Sequence, residues 1–86
     1  MEFIKKKNGS VMSCNQWSVE FDELATSKIL KYLLKCSRVP EELEPLKINT
    51  NRNMIIFDDM HLIINHEIFI IPELDIINAI TALQTK

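Results

Sequence analysis

The stretch NMIIFDDMHLIINHEIFIIPELDIINAITAL, residues 53–83, decides the fold. It holds three short apolar runs, at 54–57, 61–64 and 67–71. The runs are separated by Asp58-Asp59 and by Asn65-His66, and polar pairs of this kind are typical of turns. Strands joined by such short connections usually pair antiparallel with their neighbours in sequence. We therefore predict a three-stranded antiparallel meander over this part of the chain.

A helix is predicted to follow the meander from Pro72 onwards. Proline is favoured in the first turn of a helix, where its missing N–H is not needed. Glu73 and Asp75 come next, where the positive end of the helix macrodipole favours carboxylates. The predicted buried stripe of this helix consists of Ile76, Ile77, Ile80 and Leu83.

The three predicted strands are continuously apolar and do not alternate with polar residues. Such runs indicate strands that are covered on both faces. One helix covers one face of a small sheet, so the second face needs the rest of the chain or another molecule. We therefore treat a partner surface on this sheet as an open alternative.

The first half of the chain predicts a hairpin and a helix. Asn8-Gly9 is a strong hairpin turn within residues 1–14, and the second strand is predicted to run on through Trp17, Val19 and Phe21. The stretch 22–36 has helical periodicity, and an acidic connector with two prolines follows at 40–45. The expected fold is α+β with the order ββ-α-βββ-α, the helices packed on a small sheet. No internal repeat is evident.

Length and composition indicate a single small domain spanning residues 1–86. An apolar fraction of 47% is enough for a core, and the net charge of −2 does not favour a dedicated duplex-DNA binder. The sequence shows neither a signal peptide nor a membrane-spanning run, so we expect a cytoplasmic protein. Cys14 and Cys36 match no zinc spacing, and we expect two small buried side chains, with their pairing left open.

The polar residues best suited to catalysis or metal binding cluster around two histidines. Asp58, Asp59 and His61 lie near one predicted turn, whereas His66 and Glu67 lie near the next. These turns fall at opposite ends of the central strand, which separates the imidazoles by roughly 15 Å at ~3.3 Å per residue. No nucleophile elbow, phosphate-binding loop or metalloprotease pattern is present. We therefore predict no catalytic residues, no metal, no cofactor and no enzymatic activity.

A basic helix face supports an alternative function. Lys28, Lys31, Lys35 and Arg38 recur at helical spacing, and a further lysine run lies at 5–7. Such a face suits a regulator that binds nucleic acid, although a solvated helix surface has the same pattern.

The function favoured by the sequence is a non-catalytic protein–protein interaction module. We expect a small inhibitor or immunity-type protein that occludes a toxin, nuclease or other effector, as in bacterial or phage accessory systems. Acidic residues and one nearby tryptophan are the candidate contacts, because complementary charge speeds association and tryptophan is frequent in binding hot spots. The candidate partner-binding residues are Trp17, Glu20, Asp22, Glu23, Asp58 and Asp59. A homodimer or other homo-oligomer is a further alternative, and a membrane partner is not expected.

Overall fold

Two antiparallel sheets and two helices build the chain, as seen in a computed structural model that describes residues 1–38 and 44–84. The elements in chain order are β1 (Glu2–Lys6), β2 (Gly9–Cys14), β3 (Trp17–Asp22), α1 (Glu23–Arg38), β4 (Leu46–Asn49), β5 (Met54–Asp58), β6 (His61–Ile64), β7 (Glu67–Ile70) and α2 (Glu73–Gln84). The predicted α+β class is confirmed. Each predicted group of strands gains one strand, so the observed order is βββ-α-ββββ-α.

The first sheet has the order β1-β2-β3. The predicted hairpin between β1 and β2 is present, but its two turn residues are Lys7 and Asn8 and not Asn8 and Gly9; Gly9 begins β2 with a positive φ of 151°. The prediction that the second strand continues through Trp17 was wrong. The chain turns at Asn15, whose φ of 53° lies in the left-handed region that asparagine tolerates, and β3 pairs back onto β2.

The second sheet has the order β4-β5-β6-β7. Its last three strands match the predicted meander closely, whereas β4 was not predicted as a strand. Asn65 ties two of these strands together, because its side-chain oxygen accepts a 2.8 Å hydrogen bond from the backbone N–H of Met54. Its side-chain amide also donates to the side-chain oxygen of Asn53 over 2.6 Å.

The helices begin where the sequence indicates. Asp22 caps α1, since its carboxylate accepts a 2.7 Å hydrogen bond from the N–H of Ala25. The buried stripe predicted for α2 was partly wrong: Ile76 and Leu83 are buried as expected, but Ala79 completes the stripe and Ile77 is 52% exposed. Neither described helix is long and apolar enough to cross a membrane. The predicted acidic connector falls partly outside the described residues, which omit 39–43.

The buried side chains of both sheets and both helices form one cluster. Helix α1 contacts both sheets: Thr26 bonds to Ser10 of the first sheet, and the ring of Tyr32 lies 5.9 Å from that of Phe57 in the second. Helix α2 packs on α1 and on β1, so the last element of the chain covers its first strand. The core therefore joins the two halves of the chain.

The two halves repeat the same order of three strands and a helix, although the helices pack differently, α1 on β2 and β3 and α2 on β1. We call β1-β2-β3-α1 the first unit and β5-β6-β7-α2 the second unit. From the middle of β2 onwards, position n of the first unit corresponds to position n + 50 of the second, with matching turns, helix starts and an almost identical sequence of buried and exposed positions. Over 9–34 and 59–84 only four pairs are identical, namely Asn15/Asn65, Glu23/Glu73, Leu24/Leu74 and Leu33/Leu83. The expectation of no internal repeat was therefore wrong for the structure.

Candidate protein-binding face

The second sheet has one buried face and one apolar face that is open to solvent. Side chains alternate between the two faces along a strand, and Ile55, Phe57, Leu62 and Ile64 point into the core with no exposed area. The residues between and beside them point outwards. We call this outer group the isoleucine face, and it consists of Met54, Ile56, Ile63, Ile68 and Ile70.

Strand register makes the isoleucine face continuous. Ile56 lies directly opposite Ile63, and Ile63 lies directly opposite Ile68, so three isoleucines form one row across three strands. Exposure rises towards the edge of the sheet, reaching 66% at Ile68 and 77% at Ile70. The expectation that these strands are covered on both faces was therefore wrong within the described chain. Helix α2 lies on β1 and leaves this face open.

The first sheet provides an internal comparison for this surface. The positions that correspond to Ile63, Ile68 and Ile70 are occupied by Ser13, Ser18 and Glu20. All three are exposed polar residues on the outer face of the same kind of sheet. The repeated pattern of three strands therefore does not require apolar side chains at these outer positions. The isoleucines of the second unit are left without a structural reason.

Polar residues line part of the isoleucine face. His61 lies between Ile70 and Asp58 in one cross-strand row, and Lys47 lies opposite Ile56. His66 occupies the turn at the other end of β6, so the two histidines lie at opposite ends of one strand, as predicted. Among the described residues no three metal-ligating side chains come together.

The six predicted partner-binding residues fall into three places. Glu20, Asp22 and Glu23 lie where β3 passes into α1, and the Asp22 carboxylate is already engaged in capping. Asp58 and Asp59 lie at the end of β5 and in its turn.

Trp17 is half-buried at the start of β3, and its indole N–H donates a 2.9 Å hydrogen bond to Glu67. Trp17 thereby links the first sheet to the edge of the second.

A polar groove of about 680 Å³ separates β3 from the loop between β4 and β5. Glu20 and Asp22 line one wall, whereas Asn51 and Arg52 line the other. Carboxylate, guanidinium and amide groups of this kind suit polar contacts with solvent or with a partner's rim. They form no grouping of nucleophile, base and oxyanion donors.

Both cysteine side chains are buried. Cys14 and Cys36 are free thiols, and burial raises the pKa of each above its ordinary value. The thiolate is the reactive form of cysteine, so both side chains are held in the unreactive thiol form at neutral pH. Burial likewise raises the pKa of Tyr32, an effect that the nearby backbone of Asp59 opposes, although the hydroxyl makes no hydrogen bond of ordinary length among the described residues.

The lysines of the predicted basic face lie on the exposed side of α1. Lys28, Lys31 and Lys35 are all exposed, and the described part of the chain pairs none of them with a carboxylate. The side chain of Arg38 lies outside what the structure describes. The nucleic-acid alternative therefore keeps a stripe of three lysines on one helix.

Sequence reasoning found the apolar strands but not their open face. Each run contains apolar residues in both alternating sets, and the sequence does not state which set a helix covers. Aligning the two units at a separation of 50 residues would have marked the serine-to-isoleucine and glutamate-to-isoleucine differences. Comparison of the chain with known protein families, with curated proteins and with solved structures found no match.

Proposed function

We propose that this chain is a non-catalytic protein-binding module of the small inhibitor or immunity type, which presents the isoleucine face to another protein. The observation that carries the proposal is the exposed pair Ile68 and Ile70, with the partly exposed Ile63 beside it, at positions where the first sheet has serine and glutamate. Apolar side chains that a fold does not need, gathered in one contiguous patch, are typical of interaction surfaces.

The size of the patch suits contact with a protein. Its five side chains expose on the order of 400 Å², about half of the ~800 Å² that each partner buries in a standard interface. The polar groups beside it, Lys47, Asp58 and His61, supply the hydrogen-bonding rim that such interfaces carry. The proposed partner therefore has an apolar centre and a polar border. Asp58, one of the acidic contacts expected from the sequence, belongs to this rim.

The experiment exchanges the face of the second unit for that of the first. The variant Ile68→Ser/Ile70→Glu installs the residues found at positions 18 and 20. We expect the free energy of unfolding to change by less than about 1 kcal/mol, because both sites are exposed. Affinity capture from the native lysate is expected to lose the protein that the wild-type chain retains.

The matched control is Ile4→Ser, which removes a 56% exposed isoleucine from the outer face of the first sheet. This variant is expected to retain the same protein as the wild type. Hydrogen exchange on the captured complex is expected to slow in β5, β6 and β7. Equal capture by the wild type and the double variant, or protection confined to the first sheet, would contradict the proposal.

A second candidate function rests on the lysine stripe of α1. Three exposed lysines without described carboxylate partners provide a cationic surface for nucleic acid, against an overall charge of −2. Binding through this stripe predicts an affinity that falls steeply with salt concentration. The slope of log affinity against log salt concentration is expected to be roughly −1 for each phosphate contact. Lys28→Glu/Lys31→Glu abolishes such binding, whereas Lys6→Glu/Lys7→Glu tests the hairpin turn separately. Absence of binding at low salt removes this candidate.

A further inference from the structure

Strand β7 forms one edge of the second sheet. The sheet order gives it β6 as its neighbour, and no second strand or helix packs along it within the described residues. Edge strands expose unpaired backbone groups, and proteins usually protect them with lysine, proline or a bulge. The four residues of β7, EIFI, contain no lysine, proline or bulge, and only the short length of the strand and Glu67 at its start protect this edge.

The turn between β6 and β7 determines which backbone groups face outwards. It has two residues, Asn65 and His66, with positive φ values of 48° and 79°, as in a type I′ hairpin. In such a hairpin the flanking pair, Ile64 and Glu67, exchange hydrogen bonds, and the bonded pairs then alternate. The 2.7 Å bond from the N–H of Ile71 to the carbonyl of Met60 continues the same alternation.

It follows that Glu67 and Phe69 use their backbone groups towards β6. Ile68 and Ile70 therefore direct their N–H and C=O groups away from the sheet. These are also the two most exposed side chains of the isoleucine face, at 66% and 77%. One strand edge thus combines free backbone groups with uncovered apolar side chains.

A hollow of about 440 Å³ lies beside this edge on the inner face. Asn15, Gln16, Trp17, Glu67 and Phe69 line it. Two of these five residues are aromatic, and a hollow of this volume has room for another aromatic ring. An added strand would place alternate side chains on the isoleucine face and in this hollow.

We propose that β7 pairs antiparallel with β7 of a second copy of the chain, with Phe69 opposite Phe69 of the second copy. This register places Ile68 opposite Ile70 of the second copy, and Ile70 opposite Ile68. Their outward N–H and C=O groups then form four hydrogen bonds. The ring of Phe69 from each copy enters the hollow beside Trp17 of the other.

Charge and area both favour this register. Glu67 lies opposite Ile71 of the second copy, so the two Glu67 side chains stand about 13 Å apart at ~3.3 Å per residue. The pairing joins two four-stranded sheets into one of eight strands and brings the two isoleucine faces side by side. The doubled face approaches the ~800 Å² that one partner contributes to a standard interface. The dimer therefore enlarges the surface that we propose binds another protein, and the biological purpose of the dimer rests on that proposed function.

A short strand pairing implies a weak dimer. Sedimentation equilibrium of the full chain is expected to show a monomer at ~1 µM and a dimer at ~1 mM, because interfaces below about 1,200 Å² are commonly transient. Amide exchange followed by NMR at the two concentrations identifies the interface. The amides of Ile68 and Ile70 are expected to slow at least tenfold at the higher concentration, while those of Glu67 and Phe69 are already slow in the monomer.

Matched variants test the edge itself. Ile68→Lys is expected to raise the dissociation constant of the dimer at least tenfold, since an edge lysine opposes strand pairing. Ser18→Lys makes the same change at the equivalent position of β3 and is expected to leave the dimer unchanged. A monomer at 1 mM overturns the inference, as does a dimer in which the amides of Ile68 and Ile70 stay fast.

The dimer and the proposed function can fail separately. A wild-type monomer whose capture of another protein still depends on Ile68 and Ile70 overturns the dimer alone. A dimer with slow Ile68 and Ile70 amides that captures no protein leaves the pairing standing and overturns the binding function. Slow exchange of these amides only in the presence of a captured protein assigns the edge to a strand of that protein and overturns pairing between copies.

Discussion

The first and second units share an order of elements and a pattern of burial but differ on the side of the sheet that faces away from the core. Their buried positions correspond almost one for one from β2 to the end of the helix, although few residues are identical. Their outer positions diverge from serine and glutamate to isoleucine. The comparison teaches that the buried alternation is kept where these elements recur, whereas the outer face is free to take on another role.

The interiors of the two units also differ in one respect. Ser10 and Thr26 are buried in the first unit, and their hydroxyl oxygens lie 2.8 Å apart. Because the Thr26 hydroxyl donates to the carbonyl of Asp22, Ser10 is the donor to Thr26. Fifty residues further along the chain, Met60 lies in a turn and Ile76 is buried in α2, so the second unit has no such polar pair.

The largest expected effect comes from truncating the shared core leucines. Leu33→Ala and Leu83→Ala alter equivalent helix positions that are 1% and 4% exposed. Each substitution is expected to lower the free energy of unfolding by about 2–5 kcal/mol, because it removes buried methyl groups and leaves a cavity. Urea denaturation measures this change.

Both leucine variants are expected to unfold in one cooperative transition, since the buried residues of the two units form one cluster. Two separate transitions would instead mean that the units fold independently. Leu74→Ala, at a 65% exposed position of the second helix, serves as the control, with an expected change of less than about 0.5 kcal/mol.

Gly9→Ala is expected to destabilise the first unit by about 2 kcal/mol or more. The glycine has a φ of 151°, and a Cβ atom there would overlap the carbonyl oxygen of Phe21 on the neighbouring strand. The residue that follows the corresponding turn of the second unit is His61, which has no positive φ, so only the first unit depends on glycine at this place. Thermal unfolding measures the loss, and Asn8→Ala beside it should change stability by less than about 0.5 kcal/mol.

Alkaline pH is expected to weaken the fold through side chains of the first unit. Burial raises the pKa of Cys14 and Cys36 above the ordinary thiol value of 9.0, so the folded chain holds these protons more tightly than the unfolded chain. Their contribution is complete below pH 9 and is lost as pH rises through the folded values. The slope is at most about 1.4 kcal/mol per pH unit for each thiol.

Urea denaturation between pH 7 and pH 11 tests this pH dependence. The variant Cys14→Ala/Cys36→Ala is expected to lose stability less steeply above pH 9 than the wild type. Equal slopes for the two proteins would show that the thiols do not contribute. Tyr32, whose pKa is also raised by burial, accounts for part of the slope that remains.

The smallest expected effect is that of Tyr32→Phe. The substitution removes a buried hydroxyl whose interaction with the backbone of Asp59 is longer than an ordinary hydrogen bond, and it keeps the ring that lies against Phe57. The free energy of unfolding is expected to stay unchanged or to rise by up to about 1 kcal/mol, because an unpaired buried polar group is costly. A loss of more than about 1 kcal/mol would reveal a bond to this hydroxyl. Urea denaturation at pH 7 provides the measurement.

Local sequence patterns predicted those parts of the fold that are decided by residues close together in the chain. The polar pairs after Phe57 and Ile64 marked two turns, and Asp22 marked a helix start, all of which the structure contains. The turn at Asn15 was missed because the alternation at Trp17, Val19 and Phe21 resembles a continued strand. Strand β4 was missed because its sequence, LKIN, holds only two apolar residues.

The exposure of the isoleucine face depends on contacts between residues far apart in the chain. Whether Ile68 is covered is decided by where α2 packs, and α2 packs on β1, some seventy residues away in the chain. Composition and periodicity report that a surface is apolar but not which element lies over it. The acidic residues expected to bind a partner were chosen for charge alone, and the fold distributes them over three places.

The packing of α2 on β1 has a consequence for synthesis. Strand β1 is covered by a helix made some seventy residues later, so β1 cannot acquire its full cover until α2 has left the ribosome. Contacts so distant in sequence slow the closing of a chain, because the loop entropy is lost before the contact is gained. We expect β1 to stay partly exposed during synthesis until α2 has been made and can pack on it.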